Sequence, residues 1–214
     1  MVSGQWAVVN GIISTLCGGC GYTITGINMS VPLQKHYFTV AEYYLMAQSG
    51  VFARDERLEL IEGEVIEMSP IGKRHAACVR RLDHLLNRFP GEFALVSVQA
   101  PISIGDFSKP QPDVALLKPR ANFYSDSHPT PSDVLVIIEV ADTSVEYDRR
   151  VKFPLYGRAG IPEAWLVVLS KDLIEVHSEP KNGKYQRVQR LKRGKTIVSS
   201  AIPGLSLKVD DILG

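Results

Sequence analysis

One short segment limits the fold more than any other part of this chain. Residues 134–138 read Val-Leu-Val-Ile-Ile, and the acidic residue Glu139 follows directly. Five consecutive β-branched and aliphatic residues predict a strand that is buried on both faces, as in a sheet covered by helices on each side. A carboxylate at the end of such a strand is costly to remove from water unless a partner compensates it. We therefore expect a cation or hydrogen-bond donor beside Glu139.

A second acidic residue stands at the head of an earlier apolar run. Asp113 follows Pro112 and precedes residues 114–117, which read Val-Ala-Leu-Leu. A Pro-Asp pair often simply begins a strand or turn, so Asp113 alone has an ordinary structural explanation. On a strand next to Glu139, however, it would provide a second oxygen ligand for a hard divalent cation, which offsets the repulsion between the two acids. The pair therefore predicts a Mg²⁺ (or Mn²⁺) site.

Lys152 provides a positive charge on the helix that should come next. Asp148 and Lys152 are four residues apart and would share one helix face. As an exposed ion pair they would contribute only about a few tenths of a kcal/mol. Directed at Glu139 instead, the ammonium would stabilise negative charge that develops on a phosphate. Tyr156 continues this face unless Pro154, which lacks an N–H, interrupts the helix.

Other polar residues are candidates for the same site. The glutamates of the first predicted hairpin are most simply surface charges, although one of them would serve as a third metal ligand. A histidine near the apolar stripe of the second helix is more simply a half-buried structural residue. An isolated glutamine between two apolar strand residues would face the same cleft. In chain order, these candidates are Glu59, Glu62, Glu64, His75 and Gln99.

The composition fits one globular domain without a general affinity for nucleic acid. Of the 214 residues, 45% are hydrophobic and 22% are charged, and the net charge is only +1. Local basic groups would have to provide any contact with phosphates. The basic run at 181–195, which contains no acid, either makes such contacts or protects an edge hairpin from strand pairing. The other candidates for nucleic-acid binding are Lys73, Arg74, Arg149 and Arg150.

The first 34 residues contain no charged side chain and show no helical or strand periodicity. Their apolar part is too short to span a bilayer and lacks the positive start of a secretory signal. Cys17 and Cys20 have C-x-x-C spacing, but without a second pair a loosely ordered extension is the simpler interpretation. An upstream mis-start, with Met29 as the true first residue, is another; in both cases the core should fold without residues 1–28. The odd total of three cysteines indicates the reducing cytoplasm.

The pattern after this extension predicts, in order, a helix, a hairpin, a helix, three strands, a helix, a strand and a hairpin. That order is typical of a mixed α/β (or α+β) domain, with a mixed sheet flanked by helices. We therefore divide the chain into an extension at 1–34 and a single domain at 35–214. The predicted elements are a helix from a capping box at 39–42 to Gly50, a hairpin at 57–68 turned at Glu62-Gly63, a helix at 72–89 ended by Pro90-Gly91, strands at 94–104, 114–117, 134–140 and 163–169, a helix at 142–160, and a hairpin of 173–178 and 185–191.

Taken together, these residues resemble the PD-(D/E)XK nuclease superfamily and, more narrowly, its bacterial Uma2-like family, described as "putative restriction endonuclease". The resemblance extends from about residue 36 to the end. The E-x-K motif of the superfamily would place its lysine where this chain has Ala141, so the chain resembles the form with a displaced lysine, here Lys152. The matching pieces are residues 59–64, His75, Pro112-Asp113, residues 138–140, Asp148, Lys152, Tyr156 and residues 160–165.

The resemblance implies a restriction-endonuclease-like core with a C-terminal β-hairpin, and often a homodimer. It also implies hydrolysis of DNA phosphodiester bonds with Mg²⁺ or Mn²⁺, in which Asp113 and Glu139 hold the metal and Lys152 completes the catalytic set. The alternative is a catalytically inactive protein of the same fold that binds nucleic acid or a protein partner. An enzyme acting on RNA is a third possibility. The fold transfers within such a family more safely than the activity does.

Overall fold

The computed structural model describes residues 34–53, 55–89 and 93–214 in full, and the backbone of 7–9 and 12–14. The chain divides into two compact units, Met1–His36 and Tyr37–Gly214. The first unit contains the short antiparallel strands β1 (Ala7–Val9) and β2 (Ile12–Ser14), which the sequence interpretation did not include. The missed signal is the Asn-Gly dipeptide between them, which is typical of hairpins. The C-x-x-C pair and the Pro90-Gly91 helix stop lie outside the described residues.

The second unit contains a central sheet with helices on both sides, as the sequence predicts. Its helices are α1 (Val40–Gln48), α2 (Lys73–Asn87), α3 (Val145–Tyr147), α4 (Phe153–Arg158) and α5 (Val209–Leu213). Its strands are β3 (Leu58–Ile61), β4 (Glu64–Glu67), β5 (Leu95–Val98), β6 (Val114–Leu117), β7 (Val134–Ala141), β8 (Glu163–Val168), β9 (Leu173–Lys181), β10 (Lys184–Lys192), β11 (Thr196–Val198) and β12 (Ser206–Lys208). The central sheet has the order β10-β9-β8-β7-β6-β5; β7 and β8 are parallel and its other neighbouring strands antiparallel.

Most predicted elements are present, but the strand expected at 94–104 is shorter. It ends at Val98 because Gln99 adopts a left-handed backbone conformation with φ of 50°, which a strand cannot continue through. The capping box of α1 is present as expected, with Thr39 and Glu42 each accepting a hydrogen bond from the other's backbone N–H. The sequence interpretation did not include β11, β12 or α5, which close one side of the core.

The side chains of β7 alternate between two apolar clusters, as expected of a strand buried on both faces. Val136, Ile138 and Val140 belong to a cluster that includes residues of α2 and α5. Ile137 and Ala141 belong to a second cluster, which includes residues of α4. Glu139 therefore points to the α4 side. The strand continues two residues past Glu139, so this acid lies within the strand rather than at its end.

A π-helical turn connects α3 to α4. It spans Asp148–Lys152, and the Phe153 N–H donates to the carbonyl of Asp148, five residues earlier. Pro154 has no N–H to continue α-helical pairing and its ring disfavours a regular turn before it, which explains the interruption expected at this residue. Such turns often occur at functional sites. Here the turn buries both Asp148 and Lys152.

The C-terminal segment is attached to the sheet through the fully buried Glu163 of β8. Its carboxylate accepts hydrogen bonds from Trp165 Nε1 at 2.6 Å and from the Ser200 N–H at 2.7 Å.

Glu163→Gln would turn an amide N–H₂ toward one of these donors. We expect a loss of about 2 kcal/mol in unfolding free energy by urea denaturation, the usual range for a buried donor left unpaired. The exposed Glu179→Gln control on β9 should change it little; equal stabilities would contradict this attachment.

None of the helices in the described ranges is both long enough and apolar enough to cross a lipid bilayer.

Candidate functional site

A cleft of about 410 Å³ collects most of the polar residues that the sequence singled out. It lies between the β3–β4 hairpin, the start of α2 and the α3–α4 segment, where β6 and β7 bring their acids together. Val114 pairs with Ile138, so Asp113 lies one step along from that pair, beside Glu139. Within the described residues, the buried charged groups that line the cleft are Glu59, Asp113, Glu139, Asp148 and Lys152.

Asp113 is oriented by three hydrogen-bond donors. His75 Nε2 lies 3.0 Å from Oδ2, which also accepts from the Val140 N–H at 2.9 Å, and Gln99 Nε2 lies 3.3 Å from Oδ1. Burial alone would raise the pKa of Asp113, but the hydrogen bonds and the interaction with His75 hold that pKa below its ordinary value. Asp113 is therefore an ionised, fixed carboxylate.

A lysine and a tyrosine both contact the carboxylate of Glu139. Lys152 Nζ lies 2.8 Å from Glu139 Oε1, and the Tyr156 hydroxyl donates to the same oxygen at 2.6 Å. Lys152 Nζ also lies 3.2 Å from Glu59 Oε2, which accepts from the Gln111 N–H as well. The π turn thus directs the ammonium between carboxylates from β3 and β7.

Burial and the neighbouring opposite charges have opposing effects on the pKa values of Glu139 and Lys152. Burial raises the pKa of Glu139 to about 8 in spite of the Lys152 ammonium, and the neighbouring carboxylates add to the rise. Burial alone would lower the pKa of Lys152, but the carboxylates of Glu139, Glu59 and Asp148 raise it. We expect the Lys152 ammonium to stay charged, because several carboxylates surround it. The carboxylates outnumber this one ammonium, so the cleft keeps an uncompensated negative charge.

The donor set of the cleft suits a hard divalent cation. Four buried carboxylates face one buried lysine among the described residues, and oxygen ligands are those that Mg²⁺ prefers. Oε2 of Glu139 accepts no hydrogen bond from the described residues, and Oδ1 of Asp113 has a lone pair to spare. The described part contains no preassembled group of three His, Cys, Asp or Glu ligands. Mg²⁺ usually takes one or two protein carboxylates and completes its shell with water and phosphate.

The accessory candidates divide into two groups. Glu59, His75, Gln99 and Tyr156 all contact Asp113, Glu139 or Lys152, and the burial of Glu59 shows that its interpretation as a surface charge is wrong. Glu62 does not reach the cleft; it is exposed and pairs with Arg158.

Asp148 is also buried, which excludes the exposed-pair interpretation of Asp148 and Lys152. Its carboxylate accepts from the Ser144 hydroxyl at 2.7 Å. Burial raises the pKa of Asp148, although Lys152 and that hydrogen bond oppose the rise.

The four basic candidates for nucleic-acid contact differ in availability. Arg149 pairs with the buried Glu175 at 3.2 Å and with Glu146, so its charge is already balanced. Arg150 also pairs with Glu146, at 3.2 Å, but stays exposed. Lys73 and Arg74 are exposed on the first turn of α2, with Arg74 donating to the Leu169 carbonyl. The 181–195 run is partly neutralised as well, since Arg190 lies 3.0 Å from Glu175 and Arg193 lies 3.4 Å from Asp172.

Sequence reasoning missed Tyr147, whose side chain also lines the cleft. In a regular α-helix a residue five positions before Lys152 points elsewhere, so periodicity gave no reason to group the two. The π turn between them changes which residues share a face. The only available signal was Pro154, which predicted an irregular turn without specifying its form.

The comparisons with known proteins agree with this fold. The family model described as "Putative restriction endonuclease", Uma2, matches residues 40–210. The chain is also similar to the crystal structure of a putative nuclease belonging to DUF820 from Anabaena variabilis, with a TM-score of 0.64 and 16% identity, over 82% of this chain and 97% of that chain. Such a low identity supports the fold alone. The comparison with curated proteins finds no match.

The match to the family model covers most of the chain and includes every residue of the cleft named above. It confirms the family resemblance that the sequence motifs indicated, and the mixed sheet flanked by helices confirms the expected fold. The chain therefore belongs to the Uma2 family.

Proposed function

We propose that this protein is a Mg²⁺- or Mn²⁺-dependent endonuclease that hydrolyses phosphodiester bonds in DNA. The observation that carries the proposal is the burial of four carboxylates around one lysine in a single cleft. Buried charges of one sign are costly without compensation, and a structural ion pair would require only one acid. A bound divalent cation would offset most of the excess negative charge of this set.

Asp113 and Glu139 are the residues that would hold the metal. A metal held there supplies a water of lowered pKa and neutralises the scissile phosphate. His75, Gln99 and the Val140 N–H fix the orientation of Asp113 by the hydrogen bonds described above. Such outer contacts are important for metal affinity because they hold the ligand in one geometry.

Lys152 would stabilise negative charge on the phosphate and would not bind the metal. It donates to Glu139 Oε1 and lies beside Glu59, so its ammonium is held at the cleft by two acids. A preorganised cation at this place stabilises the negative charge that develops on phosphate as the bond breaks. Tyr156 donates to the same oxygen and keeps Glu139 in position.

The DNA backbone would approach over the exposed basic residues nearest this cleft. Lys73 and Arg74 stand on the first turn of α2, the helix that also carries His75. A homodimer would present two such clefts and allow both strands of a duplex to be cut.

The proposal is tested with the purified full chain and three substrates: plasmid, single-stranded DNA and RNA. We expect cleavage of DNA with Mg²⁺ or Mn²⁺ that EDTA abolishes, as followed on gels. Preferential cleavage of RNA would change the substrate class. Magnesium binding without cleavage of any of the three would favour the non-catalytic alternative, a nucleic-acid- or protein-binding module of the same fold.

A further inference from the structure

Two buried side-chain atoms in the described part of the chain lack a hydrogen-bond partner, and both belong to residues that line the cleft. They are the Tyr147 hydroxyl and His75 Nδ1. Buried polar groups in native proteins are almost always paired, so an unpaired one needs an explanation. Since both unpaired atoms belong to residues that line one cleft, a ligand in that cleft is the simplest explanation.

The position of Tyr147 explains how its hydroxyl is held. Tyr147 is the last residue of α3, immediately before the π turn that carries Asp148 and Lys152. Its side chain also lines a second, mainly apolar recess together with Ile61 and Leu155. The charges that act on its hydroxyl include those of Glu59, Lys152 and Asp148, all of which line the cleft.

The hydroxyl is a donor rather than an anion. Burial raises the pKa of Tyr147 to about 12, and the Glu59 carboxylate adds to the rise, so the phenol keeps its proton at neutral pH. The neighbouring acids already accept from other donors: Asp148 from the Ser144 hydroxyl, and Glu139 from Tyr156 and Lys152. None of these acids, nor any other group among the described residues, is placed to accept from the Tyr147 hydroxyl, so its proton is left for an acceptor that comes from outside.

We infer that Tyr147 is a substrate-binding residue whose hydroxyl donates a hydrogen bond to a non-bridging oxygen of the phosphodiester in the cleft. A phosphodiester carries acceptors and no donor, so it matches this atom. The inference rests on the proposed function, because that function supplies the phosphodiester as the ligand. Tyr147 would bind the phosphate from the side of the π turn, next to the ammonium of Lys152.

The test uses Tyr147→Phe, which removes the hydroxyl oxygen alone, and Tyr185→Phe as a matched control. The Tyr185 hydroxyl donates to the Ile161 carbonyl at 3.0 Å, so it is satisfied inside the protein and lies outside the cleft. The probe is a labelled single-stranded oligodeoxynucleotide in Ca²⁺, and its Kd is measured by fluorescence anisotropy. The thermal midpoint of each variant is measured without nucleic acid.

The two variants should behave in opposite ways. Tyr147→Phe should weaken the Kd by about 10-fold or more, as for losing a hydrogen bond to a charged group, and leave the thermal midpoint unchanged or slightly higher. Tyr185→Phe should lower the thermal midpoint and leave the Kd unchanged.

Three outcomes would overturn the inference. An unchanged Kd for Tyr147→Phe would mean that the hydroxyl does not contact the nucleic acid. A thermal midpoint lowered as much as in the control would mean that it has a partner within the protein. A failure of the wild-type protein to bind the probe would mean that a DNA phosphodiester is not the ligand of this cleft. Wild-type protein that binds DNA but cleaves none of the three substrates would contradict the proposed function, while the ratio of Kd values would still decide the role of Tyr147.

Discussion

Asp113→Asn should weaken Mg²⁺ binding and reduce DNA cleavage by about a hundredfold or more. The substitution keeps the size of the side chain but removes the anionic oxygen that a hard cation prefers. Loss of an outer partner of a metal ligand already costs about 10- to 100-fold, so loss of the ligand itself should cost at least as much. The measurements are Mg²⁺ affinity by calorimetry and plasmid cleavage on gels.

The fold of this variant should survive. An amide oxygen at position 113 still accepts from the Val140 N–H, and one buried negative charge is removed from a cleft that has an excess of them. Asp142→Asn is the matched control, because Asp142 is an exposed carboxylate that lines the same cleft. Equal cleavage and equal Mg²⁺ affinity in both variants would remove Asp113 from the metal site.

The residues best predicted from the sequence are those whose structural requirements are set by the residues next to them in the chain. The apolar run before Glu139 identifies a strand buried on both faces, and a carboxylate there requires a partner wherever the rest of the chain goes. The contact between Glu139 and Lys152, at 2.8 Å, is the consequence. Hairpins with Glu62-Gly63 and Asn182-Gly183 turns were predictable for the same reason, since their backbone conformations favour particular residues.

The residues that sequence reasoning misjudged are those whose environment is set by distant segments. Glu59 looks like one of several surface glutamates of a hairpin, and only the packing of β3 against the π turn buries it beside Lys152. The hydrogen bonds of His75 and Gln99 to Asp113 join three separate segments of the chain, and the sequence named these residues without specifying those contacts. The left-handed backbone of Gln99 directs its amide there, and no local pattern requires that conformation.

The π turn is an intermediate case. Pro154 predicts that the helix cannot run through regularly, but an α-helical kink, a restart and a π turn all satisfy that constraint. The turn that forms is the one that buries Asp148 and Lys152 together and brings Tyr147 to the cleft.

Lys152→Met should greatly reduce both the stability of the protein and its rate of DNA cleavage. The ammonium lies between Glu139 and Glu59, and removing one member of a buried ion pair costs about 3–5 kcal/mol because the remaining charge has no partner. Without metal, the variant should therefore unfold at a markedly lower temperature than wild type. Cleavage at saturating Mg²⁺ should fall by about a hundredfold or more, as for the loss of a preorganised charge stabiliser.

Magnesium separates these two roles of the lysine. If Glu139 and Asp113 hold the cation, bound Mg²⁺ compensates the carboxylates that Lys152 leaves behind, so Mg²⁺ should raise the melting temperature of the variant more than that of wild type without restoring turnover. Lys109→Met is the matched control: Lys109 is also buried, but its ammonium lies over the Tyr44 ring, 4.3 Å from the centroid, and outside the cleft. That variant should keep its activity and show the wild-type response to Mg²⁺. Full cleavage by Lys152→Met would exclude the lysine from the mechanism, whereas an equal Mg²⁺ response in all three proteins would place the metal away from Glu139.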